Sequence, residues 1–196
     1  MQLSPVLVLA PASGPITLGQ VKSQSNIEDD EQDAGIELMI DAAIALLDGY
    51  TGTLRRALIE QTWQQDFGAF PACALRLPLG DLISVSSVTY YDNNNAQQTL
   101  ATSVYAAFSD PQGPFLKLKP DQSWPSTYTR DDAVRVTWKA GYGDAAEDVP
   151  ADIRHAMLML VGHWYENREA VIVGEIPAPL QLAFDALTRR HSRVGF

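Results

Sequence analysis

Residues 134–167, VRVTWKAGYGDAAEDVPADIRHAMLMLVGHWYEN, change from one hydrophobic period to another within a single stretch. At its start, Val134, Val136 and Trp138 alternate with polar residues, which is typical of a half-buried β-strand. Pro150 suits the first turn of a helix because it has no amide hydrogen to lose. After it, apolar residues recur at helical spacing, namely Ile153, Ala156, Met157, Leu160, Val161 and Trp164. The stretch therefore predicts a strand followed closely by an amphipathic helix.

Helices are also predicted near the two ends of the chain. Thr17 and Gln20 have the spacing of a capping box at the start of a short helix. The acidic run at residues 28–33 precedes a second, amphipathic helix. Its apolar stripe comprises Ile36, Ile40, Ala43, Ile44 and Leu47. A short helical turn is expected at residues 54–59, and a last helix is expected to begin at Pro179.

Between these helices, period two dominates from about Thr62, which predicts several short strands. Further strands are expected at residues 75–79, 83–90, 103–108, 115–119 and 134–139. Because the apolar residues change parity along the second of these, a β-bulge is predicted at Ser86 and Ser87. That bulge would keep Ile83, Val85, Val88 and Tyr90 on one face. Residues 92–95 favour a turn because Asp and Asn accept left-handed backbone.

The fold class predicted from these elements is α+β, a helical bundle with a small antiparallel β-sheet domain inserted between N-terminal and C-terminal helices. The predicted division is an extended arm at 1–16, N-terminal helices at 17–60, a β-rich insertion at 61–140, C-terminal helices at 150–190 and a tail at 191–196.

Composition narrows the possible functions. The chain has 24 acidic and 14 basic residues, a formal net charge of −10, which argues against gripping DNA through neutralised phosphates. The single cysteine, Cys73, excludes an internal disulfide and a multi-cysteine zinc site. No Lys or Arg precedes Lys22, and the apolar run at residues 6–10 is too short to span a bilayer. Neither a signal peptide nor a membrane segment is therefore expected.

Two loops superficially match ligand-binding motifs. Residues 141–146 fit G-x-G-x-x-A after a strand, but Glu147 and Asp148 put negative charge where a dinucleotide phosphate would lie. The turn interpretation is favoured. The loop that begins Asp92-x-Asn94 lacks the Gly and Glu of a calcium loop, so it is interpreted as a hairpin turn.

Catalytic groups are scarce. His163 and Glu166 share a helix face and could bind a metal, but His155 lies too far back to be a third ligand, so surface polar residues are the favoured interpretation. Cys73 has no basic neighbour before Arg76, which indicates a bystander thiol. No enzyme activity and no cofactor are predicted, and an interaction protein is the leading class.

Two features favour protein contacts. Trp124, within a polar loop, is a candidate exposed aromatic anchor. The last helix ends in a short basic run, Arg189 to Arg193, on an otherwise acidic chain. Such a run is either a docking element or a set of arginines favourable at a helix C-terminus.

The order of these elements resembles the head-tail connector, or adaptor, family of tailed phages and gene transfer agents. The resemblance extends over nearly the whole chain from Ile16. It is carried by residues 16–22, 42–52, 60–63, 77–79 and 83–92, and most specifically by Ala140-Gly141-Tyr142-Gly143, Val149-Pro150-x-x-Ile153 and residues 163–169.

The resemblance implies a subunit of a ring, typically twelve-fold, at the head-tail junction of a particle assembled in the bacterial cytoplasm. Its implied partners are the portal protein, the next tail-side (stopper) protein and other copies of itself. DNA would pass through the channel without specific binding, since an acidic wall repels it.

The family also implies that a C-terminal segment docks on the portal. The corresponding candidates are Leu187, Arg189, Arg190, Arg193, Val194 and Phe196. Candidate subunit contacts are His155, His163, Arg168 and Trp124. An alternative function is a ligand- or glycan-binding β module on a helical stalk, lined by Trp124 and the Tyr90-Tyr91 pair.

Overall fold

The computed structural model describes residues 2–167 and 178–193. Its helices are α1 (Leu18–Ser25), α2 (Asp33–Leu47), α3 (Ala151–Glu166) and α4 (Ala178–Thr188). Its strands are β1 (Val6–Leu9), β2 (Gln61–Phe67), β3 (Leu75–Arg76), β4 (Leu82–Tyr91), β5 (Gln97–Thr99), β6 (Tyr105–Asp110), β7 (Gly113–Leu118) and β8 (Val134–Ala140). The α+β class is as predicted, and β2 to β8 lie between α2 and α3, whereas β1 precedes α1.

The helices form one body around α3. The capping box of α1 is present, since the Thr17 hydroxyl accepts from the backbone of Gln20 and the Gln20 side chain accepts from the backbone of Thr17. Helices α1, α2 and α4 each pack against α3. Their shared core includes Val21, Ile36, Ile40, Ala43, Leu47, Ile153, Met157, Leu160 and Phe184. Among the described helices, none is long and apolar enough to cross a membrane.

The strands form a second body of two antiparallel sheets. The larger sheet has the order β1-β2-β8-β4-β5, and the smaller has the order β3-β7-β6. Every second residue of β2 and β8 is buried, as the period of two predicted. The core that these strands share includes Trp63, Phe67, Leu75, Leu116, Val134, Val136 and Trp138. Strand β3 is shorter than predicted, although Leu77 and Leu79 beyond it are fully buried.

The predicted bulge in β4 is confirmed, since the pairing with β8 shifts between Val85 and Ser87. A second shift, between Leu82 and Ser84, was not predicted. It puts Leu82 opposite Ala140 and against the β core, and leaves Ile83 43% exposed. The prediction that Ile83 shares the buried face is therefore wrong.

The helical turn predicted at residues 54–59 is also wrong. Arg56 forms isolated parallel bridges with Asp48 and Gly80, which requires extended backbone. Leu58 is buried in the helical core while Ala57 is buried in the β core. This connection lies between the two bodies and supplies apolar side chains to both.

Both ends of the chain return to these bodies. The arm predicted to be extended contains β1, which pairs with β2 as an edge strand of the larger sheet. After α4, residues 189–193 turn back and lie where the two bodies meet.

Candidate functional site: the carboxyl-terminal segment and its seat

Residues 189–193, called here the carboxyl-terminal segment, follow α4 in a tight turn. The backbone amide of His191 donates to the Thr188 carbonyl at 2.9 Å, and the amide of Arg193 donates to the Leu54 carbonyl at 3.2 Å. The Thr188 hydroxyl in turn donates to the Phe184 carbonyl at 2.8 Å. The turn therefore directs the segment onto the connection between the two bodies.

Asp152, in the first turn of α3, holds the segment at the helical body. Its Oδ2 accepts from Arg190 Nε at 2.7 Å and from His191 Nε2 at 2.7 Å. Burial alone would raise the pKa of Asp152, but the hydrogen bonds and charges of His191 and Arg190 outweigh it, so the pKa lies below its ordinary value. A carboxylate at a helix N-terminus is favourable in its own right. Asp152 therefore stays ionised and keeps both side chains in contact.

Arg56, on the connection between the bodies, holds the segment through its backbone. The Nε of Arg56 donates to the His191 carbonyl at 2.6 Å, while its Nη1 forms an ion pair with Asp81. The Tyr142 hydroxyl lies 3.5 Å from His191 Nδ1, and burial raises the pKa of that hydroxyl. His191 consequently contacts the helical body, through Asp152 and Tyr142, and the connection between the bodies, through Arg56.

Arg193 reaches the β body. Its guanidinium donates to the Gln112 carbonyl and, at 3.4 Å, to the Pro78 carbonyl. Burial, followed by the proximity of Arg56, lowers the pKa of the Arg193 guanidinium. The close approach of the Arg193 guanidinium to the β6–β7 turn requires a glycine at position 113, because a Cβ built there would lie 1.7 Å from Arg193 Nη2. Gly113 also has a φ of +121°, which other residues rarely adopt.

A cleft of about 780 Å³ lies beside these contacts. Its charged lining residues are Arg56, Asp81, Asp110, Arg190 and Arg193. Asp81 pairs with Arg56, and Asp110 forms a two-pronged contact with Arg76, at 3.0 and 2.7 Å. Most of this charge is therefore already neutralised inside the molecule. The arrangement holds the carboxyl-terminal segment on its own chain through ion pairs and backbone carbonyls.

The candidates for portal contact lie in different environments. Leu187 is partly buried and packs on the helical core. Arg189 and Arg190 are both exposed, although Arg190 contacts Asp152, and Arg193 contacts the carbonyls of Pro78 and Gln112. The remaining two candidates, Val194 and Phe196, lie outside the described residues.

The candidates for subunit contact are not gathered in one place. His155 is exposed on α3. His163 lies two turns later, and its Nδ1 is 3.2 Å from the side-chain amide nitrogen of Asn167. Arg168 lies outside the described residues. Trp124 is in the β body and is partly buried, contrary to the expectation of an exposed aromatic. It stacks on Phe70 at 4.7 Å between ring centroids, which removes one ring face from solvent.

The alternative binding surface is similarly occupied. Tyr90 makes an edge contact with Phe70 at 5.8 Å, and the Arg130 guanidinium covers the Tyr91 ring at 3.6 Å. In this cation–π contact, the guanidinium covers the face of the Tyr91 ring on which a sugar would otherwise stack. With Trp124 stacked as well, the aromatic residues of the proposed glycan site are engaged with their own neighbours.

The two loops with motif-like sequences have structural roles. Tyr142 and Gly143 bond to the 58–60 backbone, and the Asp148 carboxylate accepts from the Ala145 amide at 3.1 Å, as the turn interpretation predicted. Asp92 accepts from the amides of Asn94 and Ala96 and closes the β4–β5 hairpin. In the part of the chain that the structure describes, no group of three or more His, Cys, Asp or Glu could hold a metal. Cys73 is exposed.

Sequence reasoning missed Asp152 and Arg56, whose side chains contact Arg190 and His191 of the segment. A single acidic residue in the first turn of a helix is common, because it stabilises the helix. Nothing in the sequence therefore marked Asp152 as a partner of Arg190 and His191, which follow it by 38 and 39 positions. Gly113 carried no signal either, because its role depends on where Arg193 lies. The basic run at 189–193 was the one local sign of this site.

The fold is similar to that of chains in solved gene transfer agent particles. A chain from the neck of an empty particle, computed with C6 symmetry, has 18% identity and a TM-score of 0.78, and covers 99% of this chain and 97% of its own. A chain from the native virion has 19% identity, the same TM-score and the same coverage. A chain from the native neck, computed with C12 symmetry, has 20% identity, a TM-score of 0.70 and 97% coverage of both. This chain therefore shares its fold with chains of gene transfer agent particles.

The head completion protein family matches residues 16–175, which is most of the chain. The protein belongs to this family, and the resemblance to head-tail connectors is confirmed. No curated protein matches the chain.

Proposed function

We propose that this protein is a structural adaptor at the head-tail junction of a phage or gene transfer agent particle. The observation that carries the proposal is the family match over residues 16–175, supported by the same fold in particle chains aligned over 97–99% of this chain. A structural role also agrees with the site, which is built from ion pairs and backbone contacts. We favour this role over the glycan-binding alternative, because the aromatic residues proposed to bind a glycan pack against other side chains of the same chain.

The adaptor forms a ring, which we propose has twelve copies around a channel for DNA. C12 symmetry was used for the neck that contains one similar chain, which supports this number. A net charge of −10 per copy suits a channel through which DNA slides without binding. The ring is proposed to contact the portal on one side and the next tail-side (stopper) protein on the other.

The first test is the mass of the purified chain, alone and with its cognate portal, by light scattering and electron microscopy. The expected result is a portal complex that carries a ring of this chain, with twelve copies. A chain that never binds the portal would overturn the adaptor function. A ring of another order would overturn the proposed number alone.

For portal binding, we propose the last helix and tail, through Leu187, Arg189, Arg190, Arg193, Val194 and Phe196. Of the described arginines, Arg189 and Arg190 are exposed, and Arg193 is partly buried where it donates to the Pro78 carbonyl. Deletion of residues 189–196 should abolish capture of the chain by immobilised portal. Unchanged capture would contradict this assignment.

For contact between copies, we propose the exposed side of α3 with His155, His163 and Arg168, and the Trp124 loop. The polar residues on α3 suit the rim of an interface. Charge reversal at Arg168 should lower the yield of assembled particles, measured by electron microscopy. An unchanged yield would remove Arg168 from the interface.

A further inference from the structure

The outer face of α2 is apolar and uncovered. The inner face of this helix packs in the helical core, as expected. Six residues on the other side are all exposed, and none carries charge, namely Ala34, Gly35, Leu38, Ala42, Ala45 and Leu46. Leu38 is 71% exposed and Leu46 is 41% exposed. At about 100° per residue, these positions cover roughly a third of the helix circumference.

Charge borders this apolar face along one side. Glu37 and Asp41 lie on the side of α2 that faces the chain between β1 and α1. There they line a cavity of about 340 Å³ with Gly14, Ile16 and Leu18. A helix that is apolar on nearly all sides normally has both faces buried. The outer face of α2 therefore has the character of an interface.

A second apolar surface lies at the edge of the larger sheet. All four residues of β1 are exposed, with Val6 at 60%, Leu7 at 42%, Val8 at 56% and Leu9 at 64%. β1 pairs only with β2, and its other edge is free within the described structure. An apolar strand with a free edge promotes association with another chain. No charged residue occurs anywhere in residues 1–21.

We propose that, in the assembled ring, β1 of each copy covers the outer face of α2 on its neighbour. This inference rests on the proposed ring function. A ring joins each subunit to its neighbours through two different surfaces, and β1 and the outer face of α2 are two such surfaces on one chain. The proposal adds a contact surface to the residues already proposed on α3.

Charge favours another copy as the occupant. Two chains of net charge −10 repel each other over most of their surfaces. The β1 strand lies in the uncharged residues 1–21, and the outer face of α2 is uncharged, so these two surfaces can approach without that penalty. Small side chains at Ala34, Ala42 and Ala45 leave room for the larger Val and Leu side chains of β1 to pack between Leu38 and Leu46. The two surfaces therefore match in polarity.

The test is cysteine cross-linking in rings assembled on the portal. In a Cys73→Ser background, one chain carries Leu9→Cys on β1 and a differently tagged chain carries Leu38→Cys on α2. We expect a disulfide-linked dimer that contains both tags, and a ladder of higher multimers when both cysteines are in one chain. The matched control replaces Leu9→Cys by Asn94→Cys, an exposed position at the tip of the β4–β5 hairpin, and should give no link.

Each outcome bears on the inference separately from the proposed function. A ring visible by electron microscopy without a Leu9→Cys to Leu38→Cys link would overturn the inference and leave the adaptor function intact. A link from Leu38→Cys to the portal or to a tail-side protein would also overturn it, since the occupant would then be another protein. Absence of any ring on the portal would overturn the proposed function itself.

A charge substitution gives a second readout. Leu38→Glu should reduce ring formation by more than about tenfold, because an unpaired carboxylate would be buried in an apolar contact. Circular dichroism and the thermal midpoint of the free chain should not change, since Leu38 is 71% exposed. Ile83→Glu is the control, because Ile83 on β4 is also an exposed large apolar residue, at 43%, and lies outside α2, β1 and the proposed portal-binding helix. Equal ring yields from the two variants would contradict the proposal.

Discussion

The two ends of this chain return to the body by opposite means. At the amino-terminal end, β1 is joined to β2 by backbone pairing, and all four of its side chains are exposed. At the carboxyl-terminal end, residues 189–193 are held mainly by charged side chains, through Asp152, Arg56 and Arg193. One attachment uses almost no side chains, and the other depends on them.

This difference determines what each end can tolerate. Backbone pairing is indifferent to most side-chain changes, so β1 is free to present apolar residues to another molecule. The carboxyl-terminal segment instead needs particular charges and a particular glycine. Its attachment should therefore respond to single substitutions and to pH, whereas that of β1 should respond to neither.

The largest effect is expected from Gly113→Ala. The new Cβ would overlap Arg193 Nη2, and the φ of +121° is unfavourable for alanine. We expect a loss of about 1–3 kcal/mol in the free energy of unfolding, measured by urea denaturation. Trypsin should also cleave after Arg190 faster than in the original chain, measured by mass spectrometry.

The matched control is Gly19→Ala in α1, where a Cβ would meet nothing within 4 Å. Alanine is a better helix former than glycine, so this variant should be more stable by roughly 0.5–1 kcal/mol. If Gly113→Ala behaved in the same way as Gly19→Ala, the contact between Arg193 and the β6–β7 turn would not exist in solution.

A smaller effect is expected from Asp152→Asn. The substitution keeps the shape of the side chain but removes the charge that pairs with Arg190 and His191. We expect a loss of about 1–2 kcal/mol at pH 7 by urea denaturation. Asp144→Asn, at an exposed position, is the control and should be near neutral. Equal losses in the two variants would show that the pairing contributes nothing.

Sequence patterns predicted the fold where the physics is local. The periods of Val134, Val136 and Trp138 and of the α3 stripe correspond directly to buried positions. The capping box at Thr17 and the turn at Asp92 were predictable because each depends on residues within four positions. These features account for most of the helices and strands.

What failed depends on packing between distant parts of the chain. Residues 54–59 do not form a helical turn, and their apolar side chains are shared between two cores, which cannot be read from their own spacing. Ile83 is exposed because the β4–β8 pairing has a second register shift, in addition to the one that the alternation of apolar residues predicted. The site was predicted in part. The basic run was identified from the sequence, but the partners of Arg190 and Arg193 were not, because they lie in distant elements of the chain.

The stability difference between the original chain and Asp152→Asn should shrink on acidification. The pKa of Asp152 is lowered in the folded protein, so its carboxylate stabilises the fold above the unfolded value of about 3.9. This contribution is lost as the pH falls through the still lower folded value. Urea denaturation from pH 7 to pH 3 should therefore show a constant difference down to about pH 5 and a decreasing one below it. A difference that persists undiminished at the lowest pH would mean that the charge of the Asp152 carboxylate is not the source of the stabilisation.

The smallest effect on stability is expected at the other end of the chain. Leu9→Ser changes a side chain that is 64% exposed on an edge strand, so the free energy of unfolding should change by less than about 0.5 kcal/mol. A loss above 1 kcal/mol would show that β1 side chains support the fold after all, and would remove the contrast between the two ends. A neutral result would mean that the apolar residues of β1 are not needed by the monomer. Their exposure would then have to be explained by a contact in the assembled particle.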